Sequence, residues 1–484
     1  MRSIFFIILF CCIRMIVFST GDGMQRYLTL LNNKPKFKHT NIGVAVHDVS
    51  AKTLLFGYNQ SKTFIPASSL KLLTSLVALE ELGSDFKYES ELAYDGKILS
   101  DGTLDGNLYI IGSGDPSLGS DRFQNNANFD QLMAFITDKV KSLGIRCIEG
   151  KIIADESVFD AFPVAPSWQW NDLGNYYACG AWGINIGENV YKVYFNSNQK
   201  IGDRARLLYI EPFIPGLKLS NEVTVDGADT PDNAYIFGGP YTYDKRIVGT
   251  IPFDLEPFRI KGSLPDPPKF MAYSIEKSLN IQNIETHGNE VQLREKKVDI
   301  RRETISSIYS PTLLELVRTA NYHSINVYCE SFLKTLGQKF WNESSGRGGI
   351  AYIRKYLNRN RINDGSLFMH DGSGLSARNL LSPELLSQFI ASFGSKQGIG
   401  VLQDVLPKAG SEGTVACMLD GYGCERRTWM KSGSMDQVQS FAGICKAKSG
   451  RWVSFCIILN GFGAKHSEIT PDMEGIIERI YRAY

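Results

Sequence analysis

The chain has 484 residues, of which 43% are hydrophobic and 21% are charged, and its formal net charge at pH 7 is +1. This length suits about two or three domains with a sizeable core, and the composition is typical of a globular protein. The even balance of charge argues against a nucleic-acid partner, and no block of like charge predicts a disordered tail.

The first predicted element is a secretory signal peptide over residues 1–20. Arg2 supplies a positive start, Ile4–Ile13 form an apolar segment, and the small residues Ser19–Gly21 suit a cleavage site. Arg14 interrupts the apolar run, which favours a removed signal over a membrane span; an uncleaved N-terminal anchor is the alternative. We therefore predict an exported protein of the periplasm or the cell envelope.

Strand and helix patterns then follow in an order that predicts a discontinuous α/β domain. Residues 41–58 are typical of two strands around a polar turn, and Pro66 and Gly83 bound a run of strong helix formers. From about residue 90 to residue 295, short β-like segments rich in Gly, Asp, Asn and Pro predict an inserted β-rich region.

The C-terminal third returns to helices and then to strands. Ser310-Pro311 predicts one helix start, and "INVYCESFLKTLG" (325–337) predicts a second helix. Residues 438–463 are typical of two strands joined by a polar turn, and Thr470-Pro471 predicts the start of a closing helix. The first and last strands would then have to meet in one sheet.

The first candidate for chemistry is "SSLK", in which Ser68 and Lys71 lie three residues apart at the predicted helix start. At about 3.6 residues per turn, the two side chains share one face of the helix. A serine hydroxyl is a poor nucleophile unless a base takes its proton. A lysine serves as that base when apolar surroundings lower its pKa. Taken alone, the pair fits a capping serine and a surface lysine equally well.

The second candidate is "HSINV" (323–327), which contains Ser324 and Asn326. The hydroxyl could pass a proton to a leaving amine, and the carboxamide could hold a substrate carbonyl. The alternative is an ordinary N-cap serine for the following helix.

The third candidate is the tripeptide Lys-Ser-Gly, which occurs twice. Lys431-Ser432-Gly433 follows an extended apolar stretch, and its glycine would let a ligand lie close to a strand edge. Lys448-Ser449-Gly450 lies among charged residues between two β-like runs, as in a hairpin turn. The first copy is therefore the site candidate, and the second is predicted to be a loop.

Other hydrolase and metal signatures are missing from the sequence. It contains no G-x-S-x-G, no H-E-x-x-H and no C-x-x-C motif. We therefore predict neither a metal centre nor a cofactor.

The ordered set S-x-x-K, S-x-N and K-S-G resembles the serine D-alanyl-D-alanine carboxypeptidase/endopeptidase family, the low-molecular-mass class C penicillin-binding proteins. The gap between Ser68 and Ser324 matches a family whose penicillin-binding domain is split by a large insertion. The chain differs from the usual family pattern at Ile325, where Asp is common, and at Ser432, where Thr is common. Further similar segments are "TLDGNLYIIGSGDPSL" (103–118), "LGNYYACGAWGINIGEN" (173–189), "DGSGLSARNLLSPELL" (371–386) and "LPKAGSEGTV" (406–415).

The resemblance implies a fold and a domain division. The fold is α/β: a penicillin-binding protein/serine β-lactamase-like transpeptidase domain, an antiparallel sheet flanked by helices, split by a large β-rich insertion. The predicted peptidase domain comprises residues 21–90 and 295–484, and the predicted insertion comprises residues 91–294.

The resemblance also implies a reaction on peptidoglycan stem peptides. Ser68 would attack the carbonyl between two D-alanines, Lys71 would accept its proton, and water would hydrolyse the acyl-enzyme. Ser324, tuned by Lys431, would pass a proton to the leaving amine, and Asn326 would hold Lys71 and the substrate amide. β-Lactam antibiotics would acylate the same serine as covalent inhibitors.

Substrate binding is implied for a further set of residues. Ser432 and Ser434, with Lys431, would bind the terminal carboxylate beside Gly433, and the N–H groups of Ser68 and Ser434 would form the oxyanion hole. For the stem side chain the candidates are Arg378, Asp172 and Tyr177, with a surface arginine and simple packing as the alternatives. Also open are DD-endopeptidase activity, a β-lactamase or esterase, a non-catalytic peptidoglycan-binding relative, and peripheral membrane association.

Overall fold

The structure is a computed structural model that describes residues 20–293 and 301–484. The predicted signal peptide lies outside the described residues except for its last residue. Within the described ranges, no helix combines the length and the apolar character that a membrane crossing needs.

The described residues form ten α-helices: α1 (Thr20–Asn32), α2 (Lys71–Leu82), α3 (Phe129–Ser142), α4 (Pro267–Ile281), α5 (Leu313–His323), α6 (Asn326–Phe340), α7 (Gly346–Arg359), α8 (Pro383–Gln397), α9 (Ile399–Val405) and α10 (His466–Ala483).

They also form twenty strands. These are β1 (Asn41–Asp48), β2 (Leu54–Tyr58), β3 (Glu89–Tyr94), β4 (Lys97–Ile98), β5 (Thr103–Asp105), β6 (Leu108–Ile111), β7 (Cys147–Ile148), β8 (Ile152–Asp155), β9 (Val190–Asn196), β10 (Arg206–Glu211), β11 (Lys218–Asp226), β12 (Tyr235–Phe237), β13 (Asp244–Pro252), β14 (Phe258–Ser263), β15 (Glu285–Thr286), β16 (Asn289–Gln292), β17 (Glu303–Tyr309), β18 (Thr428–Met435), β19 (Val438–Lys446) and β20 (Trp452–Asn460).

The central sheet joins the two ends of the chain, as predicted. Its order is β18-β19-β20-β1-β2, and all neighbouring strands are antiparallel. Successive residues of β20 enter different cores, because strand side chains alternate between faces. Ile458 packs with helices α2, α5, α6 and α8, whereas Ile457 and Leu459 pack with α1 and α10. Helices therefore cover both faces of the sheet. Strand β18 lies at its edge, beside the start of α2.

The β-rich region has its own hydrophobic core, built from residues between Leu92 and Ile284. Its four sheets have the orders β15-β7-β5-β4, β16-β8-β6-β3-β17, β10-β9-β14 and β11-β13-β12. Strand β17 pairs antiparallel with β3, so the chain enters and leaves this region on neighbouring strands. Such closely spaced ends are what an inserted domain requires. The exact boundaries of residues 91–294 stay a prediction.

Two predicted helix starts were wrong in position. Helix α5 is capped by Thr312 rather than Ser310, because Thr312 and Glu315 form a reciprocal capping box. Helix α10 begins at His466, four residues before the predicted cap Thr470. The Thr470 hydroxyl instead donates to His466 O at 2.8 Å, inside the helix. Pro471 removes only one intrahelical bond near the N-terminal end, so the helix continues through it.

Candidate active site

Ser68 lies in a tight 3-10 turn, Ala67–Leu70, directly before α2. Ala67 adopts a positive φ of 47°, an uncommon conformation for a residue with a Cβ. The turn is anchored at Pro66 O, which accepts from Ser69 Oγ at 2.8 Å and from Ser440 Oγ at 2.6 Å. The half-buried Ser68 is thereby fixed against the central sheet with its side chain at a cavity wall.

Lys71 is the immediate partner of Ser68. Its Nζ donates to Ser68 Oγ and to Ser373 O, both at 2.8 Å, and the side chain is fully buried. Burial lowers the pKa of Lys71 from the ordinary 10.5, while Cys329, Asp371 and Glu330 oppose the shift. A buried lysine with a lowered pKa beside a serine hydroxyl can act as a general base.

The loop that presents Ser373 O to Lys71 is held by two buried carboxylates. Glu330 accepts from Gly372 N at 3.0 Å and from Ser373 N at 2.8 Å. Asp371 accepts from Gly374 N at 2.8 Å and also from Trp168 Nε1, Ser376 N and Asn379 Nδ2. Burial and the charge of Asp371 raise the pKa of Glu330. The segment "DGSGLSARN" (371–379) is therefore the loop that holds Ser373 O, the oxygen that accepts a hydrogen bond from Lys71.

Lys431 lies on the edge strand β18 and is fully buried. Its Nζ donates to Ser432 O at 2.5 Å. Burial lowers the pKa of Lys431 well below 10.5, and the positive charge of Lys71 lowers it further. The structure therefore brings the two predicted lysines together, and the charge of Lys71 disfavours the proton of Lys431.

Gly433 allows β18 to approach the Ser68 turn. A Cβ at this position would lie 2.4 Å from Ser440 Oγ and 2.8 Å from both Pro66 O and Ser68 N. Atoms at such distances overlap, so the close approach requires glycine. The backbones of Ser68 and β18 consequently border the same space.

The two serines of this segment project from the other side of β18, because strand neighbours alternate. Ser432 Oγ lies 2.7 Å from Thr414 Oγ1, and Ser434 Oγ lies 3.4 Å from His466 Nδ1. The His466 ring is held between Gln439 Oε1 at 2.6 Å and Met435 O at 3.1 Å.

Ser324 and Asn326 line the same cavity as Ser68. Ser324 ends α5 in the left-handed conformation, with φ 56°, and Asn326 begins α6. Asn326 Nδ2 donates to Tyr177 O at 2.7 Å. Lys71, the predicted partner of its carboxamide, donates to Ser68 and Ser373 instead. Tyr177 Oη in turn donates to Asp172 Oδ1 at 3.1 Å. Burial raises the pKa of both Asp172 and Tyr177.

The site borders one cavity of about 1180 Å³ between the central sheet and the β-rich region. Among the predicted residues, Lys71, Lys431, Ser432 and Gly433 lie behind its wall and do not line it. Arg378 does not line it: its side chain is exposed, whereas the neighbouring Ala377 faces the cavity. The predicted residues that do line it are Ser68, Asp172, Tyr177, Ser324, Asn326 and Ser434.

The second Lys-Ser-Gly copy lies elsewhere, as predicted. Lys448, Ser449 and Gly450 are exposed in the turn between β19 and β20. Ser449 Oγ donates to Tyr484 O at the end of the chain.

Sequence reasoning did not single out five residues that shape the site: Ser373, Glu330, Asp371, Thr414 and His466. Thr414 and Asp371 belong to segments that resemble the family, "LPKAGSEGTV" and "DGSGLSARN", and could have been found there. Glu330 and His466 stand in helices without a local signal. Their roles arise from contacts with residues far away in the chain.

An antiparallel five-stranded sheet flanked by helices, with a serine–lysine turn facing its edge strand, defines the class of penicillin-binding proteins and serine β-lactamases. A model of the D-Ala-D-Ala carboxypeptidase 3 (S13) family matches residues 25–480. The chain belongs to this family. The match confirms the resemblance drawn from the motifs.

Individual relatives agree with this assignment. The D-alanyl-D-alanine carboxypeptidase DacB of Haemophilus influenzae is 24% identical over 446 residues, which cover 91% of this chain and 88% of that protein. The crystal structure of penicillin binding protein 4 (dacB) from the same organism has a TM-score of 0.81 at 23% identity and covers 94% of this chain and 99% of that chain. Its complex with a novel β-lactam has a TM-score of 0.76 at 21% identity, with the same coverage. These structures confirm the predicted fold.

Proposed function

We propose that this chain is a serine-type D-Ala-D-Ala carboxypeptidase that acts on peptidoglycan stem peptides through an acyl-enzyme on Ser68. The observation that carries the proposal is the 2.8 Å contact between Ser68 Oγ and the buried Lys71 Nζ, at the wall of a large cavity. Family membership supports the same reaction.

In the acylation step, the neutral form of Lys71 takes the proton of Ser68 Oγ. The oxygen attacks the carbonyl carbon of the penultimate D-alanine, and the bond to the terminal D-alanine nitrogen breaks. Ser324, tuned by Lys431, passes a proton to that leaving amine. The N–H groups of Ser68 and Ser434 stabilise the oxyanion, and the close approach of β18 to the Ser68 turn supports this role.

The terminal carboxylate of the substrate binds at the edge of β18. Ser432 and Ser434 present hydroxyls on the same side of this strand, and the Lys431 side chain lies behind them. Asn326 holds the substrate amide. In this proposal Asp172 and Tyr177 line the pocket for the stem peptide. Arg378 is exposed outside the cavity, so it can contact only a substrate group that extends out of it.

β-Lactams acylate Ser68 by the same attack, because their strained amide replaces the D-alanyl amide. The β-lactam complex of the H. influenzae protein supports this part of the proposal. Water then releases the acyl group from the peptide adduct, and the resulting acid leaves the cavity.

A second activity, cleavage of peptide cross-links as a DD-endopeptidase, is favoured by the size of the cavity. It extends past the Ser68 region to Arg122, Glu188, Lys192 and Lys261. A cross-link places a second stem peptide where a carboxypeptidase substrate has only D-alanine, and this extension provides space with charged groups for it.

The place of action follows from the substrate. We propose an exported protein of the periplasm or cell envelope, with residues 1–20 as its signal peptide. Peripheral association with a membrane is compatible with this location. The peptidase domain comprises residues 21–90 and 295–484 in this proposal.

Purified muropeptides test the reaction directly. Wild-type protein should release one D-alanine from pentapeptide monomers and should split D,D-cross-linked dimers, as followed by mass spectrometry. Ser68→Ala should do neither. Unchanged monomers and dimers, together with rapid turnover of penicillin, would instead identify a β-lactamase. Binding of peptidoglycan without penicillin labelling would identify a non-catalytic relative.

A further inference from the structure

A second group of reactive side chains lies on the β-rich region, away from the Ser68 cavity. Strands β7 and β15 pair in parallel, with Cys147 opposite Glu285. Ile148 is fully buried in the core, so Cys147 and Glu149 on either side of it point outward. His287 directly follows β15 and faces the same space.

Three of these residues, Cys147, Glu149 and His287, each offer one donor atom, and these atoms lie within 4.8 Å of one another. Cys147 Sγ lies 3.9 Å from Glu149 Oε1 and 3.9 Å from His287 Nε2, and His287 Nε2 lies 3.9 Å from Glu149 Oε2. In a tetrahedral zinc site with bonds of about 2.0–2.3 Å, the ligand atoms are roughly 3.3–3.8 Å apart. A side-chain movement of about 1 Å would therefore bring all three onto one ion, and Glu149 and His287 are exposed side chains.

The surrounding charge also favours a cation. Burial is the largest cause that raises the pKa of the Cys147 thiol, and the negative charges of Glu149, Glu285 and Asp101 raise it further. These three carboxylates therefore surround the thiol with negative charge. Lys151 does not occupy the space between the donors: its Nζ donates to the backbone oxygen of His287 at 2.7 Å. That bond fixes His287 beside Glu149.

We propose that Cys147, Glu149 and His287 bind a divalent transition-metal ion, with Glu285 or water as the fourth ligand. The combination of thiolate, imidazole and carboxylate suits Zn²⁺ best. Binding forms the metal–sulfur bond and releases the thiol proton to solvent. The ion would tie the edge strand β15 to β7, where only two residue pairs join them.

The proposal goes beyond the sequence-based prediction of no metal site. The sequence shows only a Cys-x-Glu pair, because its third member, His287, follows more than a hundred residues later and reaches the pair through parallel strand pairing. It is independent of the chemistry at Ser68.

Cobalt binding tests the site with a direct signal from the thiolate. The mature chain, without a histidine tag, is reduced, stripped of metal and titrated with Co²⁺. One equivalent should produce a thiolate-to-cobalt charge-transfer band that Zn²⁺ then displaces, and Zn²⁺ should raise the melting temperature. Cys147→Ser should abolish the band, and His287→Gln should weaken binding by about tenfold or more. Cys417→Ser, which removes an exposed cysteine elsewhere, should leave it unchanged.

The opposite results would overturn the proposal. These are no charge-transfer band in the wild type, a band that survives Cys147→Ser, or a band that Cys417→Ser removes. Penicillin labelling of Ser68 reports independently that each variant is folded. If Cys147→Ser fails to fold, the exposed His287→Gln decides the question, and unchanged cobalt affinity in that variant contradicts the site.

Discussion

The two Lys-Ser-Gly copies place the same three residues in opposite environments. Lys431 is fully buried on an edge strand, opposite Ala442 of β19, whereas Lys448 is exposed in a hairpin turn. A Cβ added to Gly433 would collide with the Ser68 turn, whereas one added to Gly450 would meet open space. The tripeptide therefore acquires its chemistry from what the fold places against it.

The difference also explains why a lysine is useful in only one copy. Burial and the charge of Lys71 lower the pKa of Lys431, and such a shift is what proton-transfer chemistry requires.

The largest expected contrast is between Lys431→Met and Lys448→Met. Loss of Lys431 should slow acylation of Ser68 by penicillin about 10²–10⁴-fold, the usual contribution of a proton-transfer group. Lys448→Met should retain the wild-type rate. Stopped-flow measurement of acylation provides the test, and equal rates in the two variants would remove Lys431 from the mechanism.

A smaller contrast is expected between Gly433→Ala and Gly450→Ala. The first substitution pushes β18 away from the Ser68 turn, and a displacement near 1 Å should cost about 10²-fold in acylation rate. Gly450 has a φ of 92°, so Gly450→Ala should cost about 1 kcal/mol of stability and no activity. Urea unfolding and acylation rates together separate the effects. A fully active Gly433→Ala would show that the close approach is dispensable.

The pH dependence of acylation should distinguish the buried lysines from the exposed one. In the proposed mechanism the neutral form of Lys71 is the base. Burial lowers its pKa from 10.5, so the rate should rise with pH and level off below pH 10.5. At pH values below this plateau, the acylation rate should fall about tenfold for each pH unit. The charge of Lys71 lowers the pKa of Lys431, whereas Lys431 is not a cause of the shift of Lys71. Lys431→Met should therefore lower the rate without moving the rise, and Lys448→Met should change neither.

The same shifts have a consequence for folding. Between the lowered pKa values and 10.5, the unfolded chain binds more protons at these lysines than the folded chain does. Their contribution to the free energy of unfolding should therefore increase as the pH rises through this interval. Chemical unfolding of the wild type and Lys431→Met at several pH values measures it. If the free energy of unfolding changed with pH in the same way in both proteins, the lowered pKa of the buried Lys431 would be contradicted.

The smallest contrast is between Ser432→Ala and Ser449→Ala. Ser432 contributes one hydroxyl to carboxylate binding, worth about 0.5–1.5 kcal/mol, so its loss should raise KM for a D-Ala-D-Ala peptide by up to about tenfold. Ser449→Ala should leave KM unchanged. Steady-state release of D-alanine provides the measurement, and a change in kcat alone for Ser432→Ala would place its role in chemistry rather than binding.

The sequence was sufficient for the parts of the site that depend on local pattern. S-x-x-K at a helix start predicted that Ser68 and Lys71 share a face, and K-S-G after an apolar stretch favoured Lys431 over Lys448. The structure places Ser68 Oγ 2.8 Å from Lys71 Nζ and buries Lys431 on a strand. The central sheet was also predictable, because residues 41–58 and residues 438–463 each show two strand-like runs separated by a polar turn.

The sequence was insufficient where distant segments meet. Glu330 reaches the Lys71 acceptor loop from α6, and His466 reaches Ser434 because α10 starts four residues earlier than Thr470-Pro471 indicated. The contact between Asn326 and Tyr177 joins the peptidase core to the β-rich region, and no local periodicity encodes such a pair.

Labelling with fluorescent penicillin tests the central claim most directly. Wild type and Ser449→Ala should both carry a covalent adduct that peptide mapping places on Ser68, and Ser68→Ala should carry none while remaining folded by circular dichroism. An adduct that persists in folded Ser68→Ala would contradict the proposed active site.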